Sequence, residues 1–295
     1  MVGYEREHAP GTPSWADLAS PDLVASARFY GGLFGWDTAT RGSADLTRGY
    51  LLFQREGKDV AGLAPMIGDD PPAWTLHVAT RDVDDVEAAA VSNGGGIVQP
   101  PHDVAEYGRS AVFSDPTGAI LGAWESGEHR GAELVGAPGS LCWSQLASRN
   151  IEAAKRFYGA LFGWRSFTRP YETSTYTRFS LDDHEIAGMI EMDRSWPRDL
   201  PSHWLPYFAV DDCDEVASRA ARLGGDVPVE PYDIPDIGRA AVLGDPHGAV
   251  FSIMAREPTF LGLQSPDALV LPVDTEPPDI DAITEVEQAE VRRYR

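Results

Sequence analysis

Positive charge, lysine and long apolar runs are all scarce in this sequence of 295 residues. Only 24 basic residues stand against 46 acidic ones, which gives a net charge of −22. This balance argues against a nucleic-acid partner, because phosphate groups need a basic surface. Lys58 and Lys155 are the only lysines. Arginine supplies the rest of the positive charge, a bias that is typical of a high-GC bacterium.

Cysteine is also scarce. Cys142 and Cys213 make neither a disulfide framework nor a metal-binding spacing, so we predict that both are buried and structural. A reducing cytoplasm fits this usage. No apolar run approaches the roughly 18 residues of a membrane span, and the first residues lack a basic-then-apolar secretion signal. The sequence therefore predicts a globular cytoplasmic protein with no membrane partner.

The strongest feature that is present is a duplicated phrase. FYGGLFGW at 29–36 returns as FYGALFGW at 157–164, with seven identities in eight positions, 128 residues later. Further matches follow in the same order at a spacing of 130: Trp74 with Trp204, Gly108-Arg109 with Gly238-Arg239, and Asp115-Pro116 with Asp245-Pro246. A period this long indicates a duplicated domain rather than a solenoid repeat.

The pattern along the chain predicts a tandem α+β protein. Within each copy a strand–helix–sheet unit itself occurs twice, with helix starts at Asp22 and Asp82 and helix ends at Gly35 and Gly94. The predicted divisions are an N-terminal arm at 1–12, a first module at 13–126, a linker at 127–139, a second module at 140–256, and an acidic C-terminal extension at 257–295.

Two βαβββ units per module, the phrase FYGxLFGW after the first strand and Asp-Pro-x-Gly-Ala before the last strand resemble the vicinal oxygen chelate superfamily. That superfamily includes glyoxalase I, extradiol dioxygenases and the bleomycin- and fosfomycin-resistance proteins. The chain is most similar to its two-module actinobacterial, glyoxalase-like members, and the resemblance covers 13–256. It implies that each module curls a mixed sheet into a cup. In the metal-binding members, it also implies ligands on the first, fifth and last strands.

Carried onto this chain, the family's ligand positions do not carry metal-binding side chains. They fall on Trp15, Thr75 and Gly122 in the first module, and on Trp143, Leu205 and Ser252 in the second. Indole, glycine and leucine offer no metal donor, and a lone hydroxyl is a poor ligand. We therefore expect neither a metal nor another cofactor. A glyoxalase or an extradiol dioxygenase is disfavoured for the same reason.

Strand side chains alternate between the two faces of a sheet, which predicts what each cup contains. In the first cup the first strand is expected to contribute Trp15, Asp17 and Ala19. The fifth strand contributes Thr75, His77 and Ala79, and the last strand contributes Ile120, Gly122 and Trp124. In the second cup the same parity places Trp143, Gln145, Leu205, Tyr207, Val250, Ser252 and Met254. Only the first cup therefore holds a candidate acid–base pair.

Asp17 and His77 are the predicted catalytic residues, the carboxylate orienting the imidazole while the imidazole moves a proton. The alternative is that both only hydrogen-bond to neighbouring groups. The predicted substrate-binding residues are Trp15, Thr75, Tyr107, Arg109, Trp124, Trp143, Gln145 and Tyr207. A purely structural wall is the alternative for the tryptophans. Because Arg109 recurs as Arg239, pairing with a nearby carboxylate is the alternative for that arginine.

Two functions follow from these residues. The first is a metal-independent enzyme of the lyase, isomerase or cyclase type, acting by acid–base chemistry on a hydrophobic aromatic or polycyclic molecule. Isomerisation, cyclisation, dehydration or ring opening would suit it, and natural-product metabolism is the expected setting. The second is a protein that sequesters a planar toxic natural product between aromatic walls without catalysis. Either function predicts a small-molecule partner and a monomer or homodimer.

Overall fold

The computed structural model of the protein describes residues 8–40, 49–68, 70–170, 175–234 and 237–256. The predicted C-terminal extension and most of the predicted N-terminal arm lie outside these residues. Both cysteines are buried free thiols, as predicted. Cys142 lies in a strand and Cys213 opens a helix. No helix within the described ranges is long and apolar enough to cross a membrane.

The two modules have the same order of elements. The first contains β1 (Pro13–Ser20), α1 (Leu23–Phe34), β2 (Asp37–Ala39), β3 (Leu51–Arg55), β4 (Lys58–Pro65), β5 (Ala73–Thr80), α2 (Val83–Ser92), β6 (Gly96–Val104), β7 (Gly108–Ser114) and β8 (Ile120–Ser126). The second contains β9 (Leu141–Ser148), α3 (Ile151–Phe162), β10 (Arg165–Pro170), β11 (Thr175–Leu181), β12 (His184–Glu191), β13 (His203–Ala209), α4 (Cys213–Arg222), β14 (Asp226–Ile234), β15 (Gly238–Gly244) and β16 (Val250–Arg256).

The eight strands of each module form one mixed sheet. The strand order is β2-β3-β4-β1-β5-β8-β7-β6 in the first module, and β10-β11-β12-β9-β13-β16-β15-β14 in the second. In the first sheet β1 pairs antiparallel with β5, while β1–β4 and β5–β8 are parallel pairs. The α+β class and the two βαβββ units per module are confirmed.

Helix boundaries follow from short capping signals. The Asp22 carboxylate accepts hydrogen bonds from Val24 N at 3.0 Å and Ala25 N at 2.9 Å, which satisfies two free amides of the first turn. Gly35 closes the same helix in the left-handed conformation at φ 72°. In the second module Asn150 caps the start of α3, and Gly163 ends it in the left-handed conformation.

Two features of the sheets escape the sequence pattern. The first is β2 with its counterpart β10; β2 has only three residues. The second is β6, which runs through Pro100 and Pro101. This is possible because β6 is an edge strand. A proline there loses no inter-strand hydrogen bond that the sheet requires.

The repeated phrase joins the two modules. Tyr30 from the first copy packs its ring against Phe251 of the second module, with ring centroids 5.5 Å apart. Its hydroxyl donates to the Asp245 carboxylate at 3.3 Å and accepts from Trp74 Nε1 at 3.0 Å. Trp36 Nε1 donates to the Gly139 carbonyl at 2.8 Å. The phrase of the first module is therefore anchored in the second.

The second copy of the phrase makes the reciprocal contacts. The Tyr158 hydroxyl donates to Asp115 at 3.1 Å and accepts from Trp204 Nε1 at 2.8 Å. Asp115 also holds its own turn, because its Oδ1 accepts from Ala119 N at 3.0 Å. Burial raises the pKa of the Tyr158 hydroxyl well above its usual value, and the charge of Asp115 adds to the shift. One shared apolar core thus runs through both modules.

Candidate functional site

A row of three neighbouring residues crosses the concave face of the first sheet. Trp15 on β1 lies opposite His77 on β5, and His77 lies beside Gly122 on β8. The predicted parity is therefore correct for all three strands. The sequence-based choice of Thr75 for the middle of this row is wrong by one pleat, because the register pairs Thr75 with Asp17 instead. We call this concave face, with Trp15, Asp17, His77 and Gly122, the first cup.

Asp17 and His77 are brought together. His77 Nε2 lies 3.3 Å from Asp17 Oδ2, and the side chains are 7% and 24% exposed respectively. At this distance the two groups attract each other electrostatically, but their geometry is not that of a hydrogen bond. Neither imidazole nitrogen forms a hydrogen bond with a described residue. Asp17 is therefore the more exposed member of the pair, and His77 is buried beside it.

Gly122 makes the room that the imidazole occupies. A Cβ atom at this position would lie 2.1 Å from His77 Nδ1, far inside contact distance. In the second module the corresponding pair is Ser252 beside Tyr207. Glycine at 122 is thus part of the arrangement that lets a histidine stand behind Asp17.

Tyr50 is a member of this cluster that the sequence reasoning missed. Its hydroxyl accepts a hydrogen bond from Trp15 Nε1 at 2.9 Å and donates to Asp17 Oδ2 at 3.5 Å. Burial raises the pKa of the Tyr50 hydroxyl well above its usual value, and the nearby charge of Asp17 adds to the shift. A Cβ at Gly62 would lie 1.8 Å from this hydroxyl oxygen. The duplication offered a signal for Tyr50 in the sequence, because the pair Tyr50 and Gly62 recurs in the second module as Tyr176 and Gly188.

The linker between the modules covers one wall of the first cup. His129 packs edge-on against Trp15 at a centroid distance of 4.5 Å, and Trp124 Nε1 donates to the His129 carbonyl at 2.8 Å. The carbonyl of Tyr107 accepts from His129 N at 3.1 Å. Trp124 and Tyr107 thus support the linker, while Thr75, beside Asp17, keeps partial exposure.

Arg109 is not brought to the first cup. Its guanidinium donates to Asp84 at the start of α2 at 2.5 Å and to Asp103 at 2.9 Å. Its neighbour across the strand pair is Glu125, whose carboxylate accepts from the backbone N–H of Val83 at 3.1 Å on the helix side of the sheet. The alternative interpretation, an arginine that pairs with carboxylates, describes this geometry.

The second cup is filled by its own side chains. Trp143, Gln145 and Tyr207 are all buried. Trp143 and Tyr207 belong to a compact apolar cluster completed by Leu205, Ala209, Val229, Tyr232, Ile234, Ala240, Val242, Met254 and the neighbouring Cys142. The connection from β12 to β13 closes one end with the buried Trp196. The Arg149 guanidinium fixes that connection by donating to the carbonyls of Met192, Asp193, Pro197 and Leu200.

The donors present in the first cup do not fit a metal held in the family's manner. Of the row Trp15–His77–Gly122, only the imidazole offers a donor atom, and Asp17 adds one more. Throughout the described ranges, no group of three or more His, Cys, Asp or Glu side chains is placed to hold a metal ion. We derive no chemical step through a metal here.

Two family models match the chain. The one described as Glyoxalase-like domain covers residues 15–121, and the one described as Glyoxalase/Bleomycin resistance protein/Dioxygenase superfamily covers residues 123–253. Among solved structures, a Mn(II)-bound glyoxalase from Novosphingobium aromaticivorans aligns with a TM-score of 0.58 and 16% identity, over 84% of this chain and 83% of that one. The 2,3-dioxygenase LapB from Pseudomonas sp. KL28 aligns with a TM-score of 0.58 and 15% identity, over 84% and 93%.

Two relatives with higher sequence identity align with this chain over nearly the whole of their own length. The protein named "Putative glyoxylase CFP32" of Mycobacterium bovis is 38% identical over 260 residues, which is 85% of this chain and 97% of the relative. The anthracycline biosynthesis protein DnrV of Streptomyces peucetius is 41% identical over 261 residues, which is 83% of this chain and 94% of the relative.

The fold has two βαβββ units in each of two modules, and the family models that match both modules define a tandem vicinal oxygen chelate protein. The chain belongs to the Glyoxalase/Bleomycin resistance protein/Dioxygenase superfamily.

Proposed function

We propose that the chain is an enzyme that moves a proton on a planar polycyclic aromatic ketone, without a metal, in natural-product metabolism. The single observation that carries the proposal is the polar cluster of Asp17, His77 and Tyr50 on the wall of the first cup. The second module has the same fold and holds Gln145 and Tyr207 at the places of Asp17 and His77.

The geometry supports Asp17 as the base that touches the substrate. Both neighbours approach the same carboxylate oxygen: His77 Nε2 lies 3.3 Å from Oδ2, and the Tyr50 hydroxyl lies 3.5 Å from Oδ2. Among the described residues nothing bonds to Oδ1, which leaves that oxygen for a substrate. This reverses the roles that the sequence predicts. Because the imidazole is buried behind the carboxylate, His77 and Tyr50 act as positioning residues.

The relatives support the substrate class. DnrV of Streptomyces peucetius and DauV of Streptomyces sp. are named anthracycline biosynthesis proteins and are 41% identical to this chain. Anthracyclines are planar, hydroxylated polycyclic ketones and quinones. Trp15 lies on the same face of the sheet as Asp17 but is buried beneath the linker, so support for the substrate class comes from the relatives.

The proposed step is a tautomerisation. The Asp17 carboxylate takes a proton from a carbon activated by a ring carbonyl. The electron pair of the broken C–H bond forms a new carbon–carbon double bond, and the π pair of the conjugated carbonyl moves to its oxygen. The Asp17 carboxyl then returns a proton to that oxygen or to a conjugated carbon. Atoms and electrons balance with no oxidant or reductant. A positioned acid–base group of this kind accelerates proton transfer by roughly 100- to 10,000-fold.

The test uses 1,8-dihydroxyanthrone, a tricyclic aromatic ketone with an exchangeable methylene group at C10. Deuterium uptake at C10 is followed by mass spectrometry in heavy water under argon. The full chain should accelerate uptake over buffer, and Asp17→Asn should remove at least about 100-fold of that acceleration while it leaves anthrone binding intact. Asp37→Asn, which changes an exposed carboxylate of the same module, is the matched control and should behave like the unchanged protein.

A second function, sequestration of a planar natural product, is favoured by the burial of His77, because a buried imidazole has little access to a substrate. It predicts tight binding of the anthrone with no faster deuterium uptake in any variant. That result would overturn the enzymatic proposal.

A further inference from the structure

A cavity of about 120 Å³ lies on the outer strands of the second sheet, in the module opposite to Asp17. Phe167 and Arg169 on β10, Arg178 and Ser180 on β11, and Glu185 on β12 line it. The register places all five on one face, because Phe167 pairs with Arg178 and Ser180 pairs with Glu185. We call these five residues the arginine pocket.

Two opposite charges are buried at the base of the arginine pocket. The Arg178 guanidinium donates to Glu185 Oε1, and the two side chains are only 10% and 3% exposed. The second carboxylate oxygen, Oε2, is buried and has no hydrogen-bond partner among the described residues. A buried oxygen without a partner is costly in a folded protein. Burial raises the pKa of Glu185 to about 7, although Arg178 opposes the shift.

The mouth of the pocket combines an aromatic ring with positive charge. Phe167 is 53% exposed. The guanidinium carbons of Arg169 and Arg178 lie 5.3 Å and 5.5 Å from the centroid of its ring, within cation–π distance. Arg169 forms no ion pair with a described residue. Its charge acts on Glu185, whose pKa it lowers, so Arg169 contributes to the positive charge around the cavity.

The first module shows that the fold does not require this arrangement. At the same register positions it carries Ala39 for Phe167, Leu52 for Arg178, Gln54 for Ser180 and Asp59 for Glu185. There the Gln54 side-chain amide donates to Asp59 Oδ1 at 2.7 Å. In the second module the shorter Ser180 leaves Glu185 without such a donor, and an arginine replaces a buried leucine. The two copies have diverged at four adjoining positions to make a charged cavity.

The charge and shape of the pocket select one class of ligand. Two guanidinium groups and one carboxylate leave a net charge of +1 when Glu185 is ionised, which matches a monoanion better than a dianion. Guanidinium groups bind carboxylates through two parallel hydrogen bonds. An exposed phenyl ring beside them favours a flat apolar body. The volume, about 120 Å³, accommodates a single ring.

We propose that the arginine pocket binds a small aromatic carboxylate, with Arg169 and Arg178 holding the carboxylate group and the Phe167 ring covering the aromatic face. The site is independent of the chemistry proposed for the first cup, and it offers the second module a ligand of its own.

Benzoate is the probe, titrated into the full chain by isothermal calorimetry and by NMR. A dissociation constant of about 1 mM or lower is expected for so small a ligand. Benzamide, which lacks the charge, and cyclohexanecarboxylate, which lacks the flat ring, should each bind at least about tenfold more weakly. Inorganic phosphate should also bind more weakly than benzoate.

Two variants locate the site. Arg169→Gln should weaken benzoate binding by about tenfold or more. The triple variant Arg178→Leu, Ser180→Gln, Glu185→Asp installs three of the four corresponding residues of the first module and should abolish binding; its melting temperature shows whether it folds. Arg165→Gln is the matched control on the same strand, since Arg165 is exposed, pairs with Asp183 and does not line the cavity, and its affinity should not change.

Absence of benzoate binding at about 10 mM would overturn the proposal, because that limit lies tenfold above the expected constant. Equal affinity for benzamide, tighter binding of phosphate, or unchanged affinity in Arg169→Gln would overturn it as well.

Discussion

Single side chains set the two cups apart. The backbone rows are equivalent, yet the first cup carries Asp17 and His77 where the second carries Gln145 and Tyr207. The smallest of these differences, glycine at 122 against serine in the second module, determines whether an imidazole fits behind the carboxylate. At the scale of residues, the candidate site thus depends on a missing side chain as much as on the charged ones.

Gly122→Ala tests this dependence. The new methyl group would lie 2.1 Å from His77 Nδ1, so the ring must move and its 3.3 Å approach to Asp17 must lengthen. Overpacking of this kind costs about 1–3 kcal/mol of unfolding free energy, which denaturant titration measures. NMR of the His77 ring should show the displacement. Ser252→Ala, which removes a hydroxyl at the same place in the second module, is the matched control. Unchanged stability together with unchanged His77 resonances would contradict the packing described here.

At the scale of elements, the turn before the last strand of each module has a double role. The Asp115 carboxylate uses Oδ1 for its own turn and Oδ2 for the hydroxyl of Tyr158 in the other module, at 3.1 Å. Asp245 does the same for Tyr30. The turn of one module and the FYGxLFGW helix of the other therefore form one structural unit. This unit occurs twice at the interface between the modules.

A double-mutant cycle measures this unit. Tyr158→Phe should cost about 1–2 kcal/mol, because it leaves a buried acceptor on Asp115 with one partner fewer. Combined with Asp115→Asn, it should show a coupling energy of about 0.5–3 kcal/mol in unfolding free energy. The cycle of Tyr30→Phe and Asp245→Asn is the internal control, and it should give a coupling of similar size. Strict additivity in both cycles would mean that these contacts contribute nothing to joining the modules.

Local signals explain which elements could be predicted. Helix caps at Asp22 and Gly35, the turn aspartates and the alternation of strand residues all act within a few residues. The fold class and the placement of Asp17 and His77 on one face could therefore be predicted from the sequence. Strand register depends on contacts between residues far apart in the sequence. For this reason the sequence pattern predicts Thr75 at the position opposite Trp15 that His77 occupies in the structure. Tyr50 joins the site only through contacts with Trp15 and Asp17, more than thirty residues away in the sequence.

At the scale of the whole molecule, duplication has been followed by divergence. One apolar core spans both modules, and its contacts are nearly symmetric. The concave faces are not symmetric. The first keeps a partly exposed carboxylate beside a histidine and a tyrosine, whereas the second is filled by an apolar cluster and carries the arginine pocket on its outer strands. We therefore place the proposed polycyclic ligand in the first cup.

The most direct measurement is native mass spectrometry of the full chain purified from an actinobacterial host, with elemental analysis of the same sample. The account predicts a bound planar polycyclic compound and no stoichiometric divalent metal. Thr75→Trp, which places a large ring beside Asp17 in the first cup, should lose the compound, whereas the triple variant of the arginine pocket should keep it. A stoichiometric metal, or a polycyclic ligand that survives Thr75→Trp, would contradict the assignment of the first cup as a metal-independent site.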